Sequence, residues 1–350
     1  MTRRSKGLDE CQQLRIAEMS NRTRRAGGLH TALISLLLTV GLFAGAVCAA
    51  DRLRTFRIGA LTTAWGSTPM ISGLRDGLLA LDYREGEDFV LGIRFTQGDY
   101  TALPEAARKL VQYDVDLIFV GRALAAKAAQ QATKEIPIVF AGVSDPVGAG
   151  LIDSFARSGG NTTGVSDLGL DLGPKRLEIF REMIPSLRRV LFPYEATNPD
   201  HKAEAKSFRA AAPPLGIELM ERPLKNEGEA KILFARLRKG RVDGILAPRC
   251  CFLNLPGLIL EVAERNSLPT MFGQAFWVER GALASYGPDY YTSGRQAARL
   301  VDKIFKGTKT VEIPVETNSK IEFTINWKVA KTRGLTIPPE VLYRAQKLIR

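Results

Sequence analysis

The chain has 350 residues, of which 45% are hydrophobic and 25% charged. That balance makes a folded globular protein and excludes a disordered tail, a collagen-like fibre and a polytopic membrane protein. The formal charge is +12, yet beyond residue 50 the balance is 42 basic to 34 acidic residues with no basic run, so no nucleic-acid stripe is indicated.

Residues 1–50 read as an export address. Arg22, Arg24 and Arg25 precede an uncharged stretch from Thr31 to Ala50, with Leu33 to Val40 as its apolar heart and small residues from Ala46 to Ala50. This is the grammar of a secretory signal peptide cleaved after Ala50, and Met19 as the start would give it ordinary length. A retained membrane anchor, a lipid on Cys48 and a twin-Arg signal at Arg24-Arg25 are the competing readings. Export implies a periplasmic protein. Its mature chain keeps two cysteines, Cys250 and Cys251, which read either as an apolar pair or as a vicinal disulfide.

The mature chain alternates strand and helix. Phe56–Leu61 reads as a buried strand, Met70–Leu81 as a helix with Ile71, Leu74 and Leu78 on one face, and Phe89–Phe95 as a strand. A helix over Leu103–Gln112 opens with Pro104 in its first turn. A strand at Leu117–Val120, an Ala-rich helix from Ala123 to Thr133 and a strand at Ile138–Ala141 complete the first half. Gly159, Gly160, Asn161 and Gly164 then supply a flexible joint over 158–165. The pattern repeats: a helix ending at Met183, a strand at Arg189–Phe192, a helix from His201 to Ala212 stopped by Pro213-Pro214, and a strand at Ile217–Met220. Next come a helix from Glu227 to Leu237, a strand at Gly244–Ala247, a helix from Gly257 to Arg265, and short strands at Pro269–Phe272 and Leu283–Tyr286. A helix runs from Ser293 to Phe305, edge strands lie within Thr310–Ile325, and a last helix covers Glu340–Ile349.

Four-residue apolar strands alternating with helices predict α/β architecture with parallel sheets covered on both faces. Two such runs predict two doubly wound lobes with a ligand cleft between them. The boundaries read as a signal over 1–50, an N-terminal lobe of 51–163 plus 288–330, a C-terminal lobe of 164–287, and a helical segment over 331–350. Ligands of open α/β sheets bind outside the carboxyl ends of the strands, and hinge closure is the motion two such lobes allow.

No catalytic motif is present: no G-x-S-x-G, no phosphate loop, no G-x-G-x-x-G after a strand, no H-E-x-x-H. His201 reads as a solvated helix-start residue rather than a base. No enzyme activity, cofactor or metal is expected. The loops after the strands instead hold Thr62, Thr63 and Trp65; Arg122 and Ala123; Ser144 and Asp145; Tyr194 and Asn198; Arg249; Gln274; and Tyr286. Trp65, Tyr194, Phe252 and Tyr286 offer flat apolar faces. Helix starts near Ala64, Ala123 and Val147 offer N–H groups to a carboxylate. Arg122 or Arg249 would clamp that anion, and Asp145 would take an ammonium. A small organic molecule such as an amino acid would use all of these.

These loops carry a resemblance. Ile136 to Val147 is similar to the "IPIVF…DPV" signature of the ABC transporter substrate-binding protein family, periplasmic or lipid-anchored receptors related to tryptophan- and tyrosine-binding lipoproteins. Gly159 to Ser166 resembles its "GGNVTGVS" segment, Pro174 to Glu178 its "PKRLELL", and Asn198-Pro199, Ser285 to Pro288 and Lys331 to Pro339 its later landmarks. The resemblance implies a periplasmic binding protein fold of type I with three crossings between lobes. It also implies capture of a solute and delivery to the membrane subunits of an ABC permease, with a monomeric receptor and no nucleic-acid partner. The chain departs from the pattern at Gly121-Arg122-Ala123, where relatives often carry Gly-Thr-Pro, and at Arg249 to Phe252. An arginine near the cleft favours an anionic ligand. A sensor module that presents the same lobes to a signalling partner is the alternative reading.

Overall fold

A computed structural model describes residues 54–64, 66–249 and 255–350. The export segment, Trp65, the Cys250-Cys251 pair and Phe252 lie outside the described residues. Among the described residues no helix is long and apolar enough to cross a membrane.

The first sheet contains β1 (Phe56–Thr62), β2 (Phe89–Phe95), β3 (Leu117–Gly121), β4 (Ile138–Val143), β5 (Thr162–Ser166) and β11 (Glu316–Thr317), in the order β2-β1-β3-β4-β5-β11. Every pairing in it is parallel. β3, β4 and β5 are buried along their whole length, and the sequences of β3 and β4 accordingly run apolar without alternation. One face packs on α1 (Pro69–Leu79) and α9 (Tyr290–Phe305), the other on α2 (Leu103–Gln112) and α3 (Ala123–Ala132).

Local chemistry sets these elements. Thr68 caps α1 by accepting from the Ile71 N–H, and Pro69 supplies a preset first-turn dihedral. Asp289 caps α9 by accepting from the Tyr291 and Thr292 N–H groups. α1 and α9 touch backbone to backbone: a Cβ on Gly294 would lie 2.0 Å from the Met70 carbonyl oxygen.

The second sheet has seven strands in the order β13-β12-β10-β9-β8-β6-β7. They are β6 (Arg189–Glu195), β7 (Glu218–Leu224), β8 (Gly244–Leu246), β9 (Thr270–Phe272), β10 (Ala284–Pro288), β12 (Ile321–Asn326) and β13 (Lys347–Ile349). α4 (Leu172–Met183), α5 (Pro199–Ala211), α10 (Trp327–Thr332) and α11 (Pro339–Arg344) cover one face around Phe192, Phe208 and Phe180. α6 (Glu227–Arg236), α7 (Leu255–Asn266) and α8 (Ala275–Val278) cover the other. Both sheets thus repeat one winding, with the order reversing between β1 and β3 and again between β6 and β8. Both belong to one compact unit, Leu53–Arg350.

The chain crosses between sheets three times: from β5 to α4, from β10 to α9, and from β11 to β12. Three sequence expectations shift accordingly. The segment 158–165 is no free joint, since Thr162–Ser166 is a buried strand, and the crossing begins at Asp167. The return segment 288–330 divides, with α9 and β11 on the first sheet and β12 antiparallel to β10 in the second. The last helix stops at Arg344, and Lys347–Ile349 adds a parallel strand to β12. Short apolar segments at a chain end carry no period long enough to separate strand from helix.

Candidate functional site

The loops at the carboxyl ends of the two sets of strands meet. Asp167, the first residue of the first crossing, is 1% exposed. Its carboxylate accepts from the Ser144 hydroxyl after β4 (2.6 Å), from the Tyr290 hydroxyl at the start of α9 (3.0 Å) and from the Gly169 N–H (2.9 Å). Arg249, after β8 of the second sheet, donates Nη1 to both carboxylate oxygens at 3.2 Å. Arg122, after β3 of the first sheet, approaches to 3.8 Å. One side chain at a crossing therefore holds groups from both lobes.

The network continues into the second lobe. Arg249 lies 3.6 Å from Glu204 of α5, and the Arg249 N–H donates to Glu204 Oε2. Glu204 accepts from Arg176 of α4 at 2.9 Å, and Arg176 also donates Nε to the Tyr286 carbonyl. The Arg176, Glu204, Arg249 and Asp167 side chains are each 0–2% exposed. Burial would raise the Asp167 carboxyl, but Arg249 and Arg122 outweigh it and hold the group below the usual carboxylate range. Burial would lower Arg249, and Asp167 and Glu204 reverse that so its charge is reinforced. Burial pulls Arg176 below its ordinary value, with Glu204 opposing. Burial pushes the Tyr290 hydroxyl up to about 12.

Arg122 differs from its neighbours in the network. Its side chain keeps 15% exposure, its guanidinium lies 4.7 Å from the Tyr290 ring centroid, and Nη1 donates to the Tyr290 hydroxyl at 3.2 Å. Its backbone is left-handed, with φ +78°, a costly conformation for a residue with a long side chain. α3 begins at the next residue and has no side-chain cap.

The remaining expected residues fall into two groups. Ala123 opens α3 and is buried, and Ser144 belongs to the network. Asn198 caps α5 and reaches the Tyr100 hydroxyl of the first lobe at 3.5 Å, a second contact between lobes. Gln274 donates to the Arg249 carbonyl and ties the β9 loop to the β8 loop. Thr62 accepts from the Ala64 N–H, and the half-buried Thr63 holds Gly98 through its carbonyl.

Others stand elsewhere. Tyr194 is no cleft aromatic: it shares a strand face with Phe192, stacks on it at 5.3 Å and lies in the core of the second lobe. Tyr286 packs its ring edge against Phe323 and offers the network its carbonyl. Asp145 is exposed and accepts from Gly148 N–H to close its own turn, and no helix starts at Val147. Arg249 is no open clamp, since its charge is matched inside the protein. His201 is 1% exposed rather than solvated, and its Nδ1 accepts from the Glu195 N–H.

Sequence reading missed Asp167, Arg176, Glu204 and Tyr290. For two of them a signal existed. Arg176 stands four residues before Phe180, and Glu204 four before Phe208, each on the apolar face of its helix, where a charge needs a buried partner.

Among the described residues no group of acids, His or Cys could hold a metal. Two surface grooves lie away from the network. One of about 660 Å³ is lined by Trp327, Lys331 and Leu348, and one of about 430 Å³ by Lys127, Gln130 and Asn161.

Two lobes of identical winding, three crossings and carboxyl-end loops that converge on a hinge define a two-lobed solute-binding protein. Residues 66–349 match the family of ABC transporter substrate binding proteins, and the chain belongs to that family. It is 30% identical over 247 residues to a tyrosine-binding protein of Clostridioides difficile, covering 70% of each chain. Among solved structures, a conserved domain protein of Vibrio cholerae superposes with a TM-score of 0.76 at 28% identity, over 84% of this chain and 100% of that one. A ligand-free, open substrate binding protein of Clostridium difficile superposes with a TM-score of 0.61 at 26% identity, over 85% and 99%. An ABC domain from Streptococcus pneumonia in complex with L-Trp shares the fold, with a TM-score of 0.76 at 24% identity over 85% and 100%. The family is one of substrate-binding proteins rather than enzymes.

Proposed function

We propose that this protein is a monomeric, exported receptor that captures an amino acid or related carboxylate between its lobes and delivers it to an ABC permease. The observation that carries the reading is the meeting of both lobes at Asp167, on a crossing and beside the switch points where open α/β sheets bind ligands. The tyrosine-binding relative supports an amino-acid-sized solute. Thr31 to Ala50 supports export to the periplasm. Asp289 and Asn318, at the second and third crossings, are joined by the Asn318 Nδ2 bond to the Asp289 carbonyl, which ties these two crossings together.

The test joins binding to uptake. A solute that binds the purified protein in a calorimetric titration should no longer enter cells from which the gene is deleted. Undiminished uptake of that solute would refute delivery to a permease and move the protein to a sensing role.

A further inference from the structure

Three acidic side chains are buried among the described residues: Asp167, Glu195 and Glu204. Asp167 and Glu204 each face an arginine at close range. Glu195 is 1% exposed, and among the described residues no lysine or arginine pairs with it. Its Oε1 accepts from the Thr197 hydroxyl at 3.3 Å, and its Oε2 is buried with no hydrogen-bond partner. His201 does not supply the missing charge. Its Nδ1 accepts from the Glu195 N–H at 3.2 Å, which places the ring proton on Nε2 and leaves the imidazole neutral. Burial pushes the Glu195 carboxyl up and outweighs the polar groups beside it. A buried carboxylate oxygen in this condition costs free energy until a cation or a proton reaches it.

The position is that of a ligand contact. Glu195 is the last residue of β6, and the strand order of the second sheet reverses between β6 and β8, where open α/β sheets bind ligands. Three residues on, Asn198 donates Nδ2 to the Tyr100 hydroxyl of the first lobe at 3.5 Å. The first-lobe segment that carries Tyr100 also carries Thr96, whose Oγ1 is likewise buried without a partner. Each lobe therefore brings one unsatisfied oxygen to the loops that meet at the Tyr100–Asn198 contact. Asp145, the acid that loop position assigns to an ammonium, is exposed and closes its own turn instead.

We infer that Glu195 is the contact for the amino group of the solute: its Oε2 accepts from a primary ammonium of the ligand, while Thr197 positions the carboxylate through Oε1. The inference rests on the receptor reading and deepens it, because it separates an amino acid from a plain carboxylate. An ammonium brings one positive charge and three donors, which suits one carboxylate oxygen and leaves a donor for a hydroxyl such as that of Thr96. A sugar hydroxyl would satisfy the hydrogen bond and leave the charge unmatched.

The experiment is a calorimetric titration of the protein purified from cells expressing the full chain and stripped of bound solute. The probes are amino acids, each paired with the analogue that has hydrogen in place of the amino group: L-tyrosine with 3-(4-hydroxyphenyl)propanoate, L-tryptophan with 3-(indol-3-yl)propanoate, and L-leucine with 4-methylpentanoate. The amino acid of a pair should bind, and its analogue should bind about ten- to a hundredfold more weakly, the range expected for a hydrogen bond to a charged group. Glu195→Gln keeps the shape and loses the charge. It should weaken the amino acid by a similar factor, leave the analogue unchanged, and melt without ligand no lower than wild type, because the carboxylate it removes has no partner inside the protein. Glu195→Asp keeps the charge and should keep a preference for the amino acid, which an effect of shape alone would not. Equal binding of amino acid and analogue, or undiminished amino-acid binding by folded Glu195→Gln, would overturn the inference and leave the receptor reading standing. So would a fall of roughly 10 °C in the unliganded melting temperature of Glu195→Gln, the mark of a carboxylate paired within the protein. Binding of neither member of any pair by the folded wild-type protein would overturn the inference and the amino-acid receptor reading together.

Discussion

Replacing Asp167 by Asn removes one buried negative charge while keeping the side chain's size. The variant leaves Arg249, 3.2 Å away, and Arg122, 3.8 Å away, facing an amide whose NH2 group repels their donors. It also disturbs acceptance from Ser144 and Tyr290. Breaking one partner of a buried ion pair costs about 3–5 kcal/mol. For a chain of this size that lowers the melting temperature by roughly 10 °C. The pH dependence follows from the depressed carboxyl of Asp167. Its contribution is complete above the unfolded value near about 4 and is lost as pH falls through the lower folded value. Urea unfolding at stepped pH should therefore show the full gap between wild type and Asp167→Asn at neutral pH. The gap should narrow below about pH 4. A cost under about 1 kcal/mol, typical of an exposed pair, would refute the view that Asp167 joins the lobes.

Three further substitutions test the scaffold. Asp289→Ala removes the cap of α9 at the second crossing and should cost about 1 kcal/mol in chemical denaturation. Gly294→Ala forces a methyl to within 2.0 Å of the Met70 carbonyl and must part α1 from α9, at a cost of about 1–3 kcal/mol readable as a lower melting temperature. Phe208→Ala empties a fully buried site that meets the Phe192 ring edge at 5.0 Å, and should cost about 3–5 kcal/mol by urea unfolding.

The strands of both sheets were legible because parallel strands buried on both faces read as apolar runs, as in Leu117-Ile118-Phe119-Val120. Helices were legible where a cap and an apolar stripe coincide, as from Thr68 to Leu79. The crossings were harder. Thr162–Ser166 carries the polar, glycine-containing composition of a loop, yet pairing with β4 and β11 makes it a strand, because tertiary pairing overrides local propensity. The site was half legible. Loop position after a strand singled out Arg122, Ser144, Asn198, Arg249 and Gln274, and the structure places them in contacts beside the first crossing. It could not tell a charge sealed in the interior, as at Arg249, from one that keeps some exposure, as at Arg122, since the two look alike in sequence. Tyr194 misled for the same reason: a residue near a strand end still obeys the two-residue alternation that points it into the core. Asp167 had no pattern to announce it, for its partners are scattered from Arg122 to Tyr290.

Ligand-dependent melting of the purified protein is the most direct test of solute capture. Amino acids and small carboxylates would be screened one at a time, alongside sugars and nucleosides. Receptor function predicts that at least one carboxylate, at about 100 times its dissociation constant, adds about 2.7 kcal/mol of stability and raises the melting temperature by several degrees. No shift with any of them, on folded protein stripped of bound solute, would contradict it.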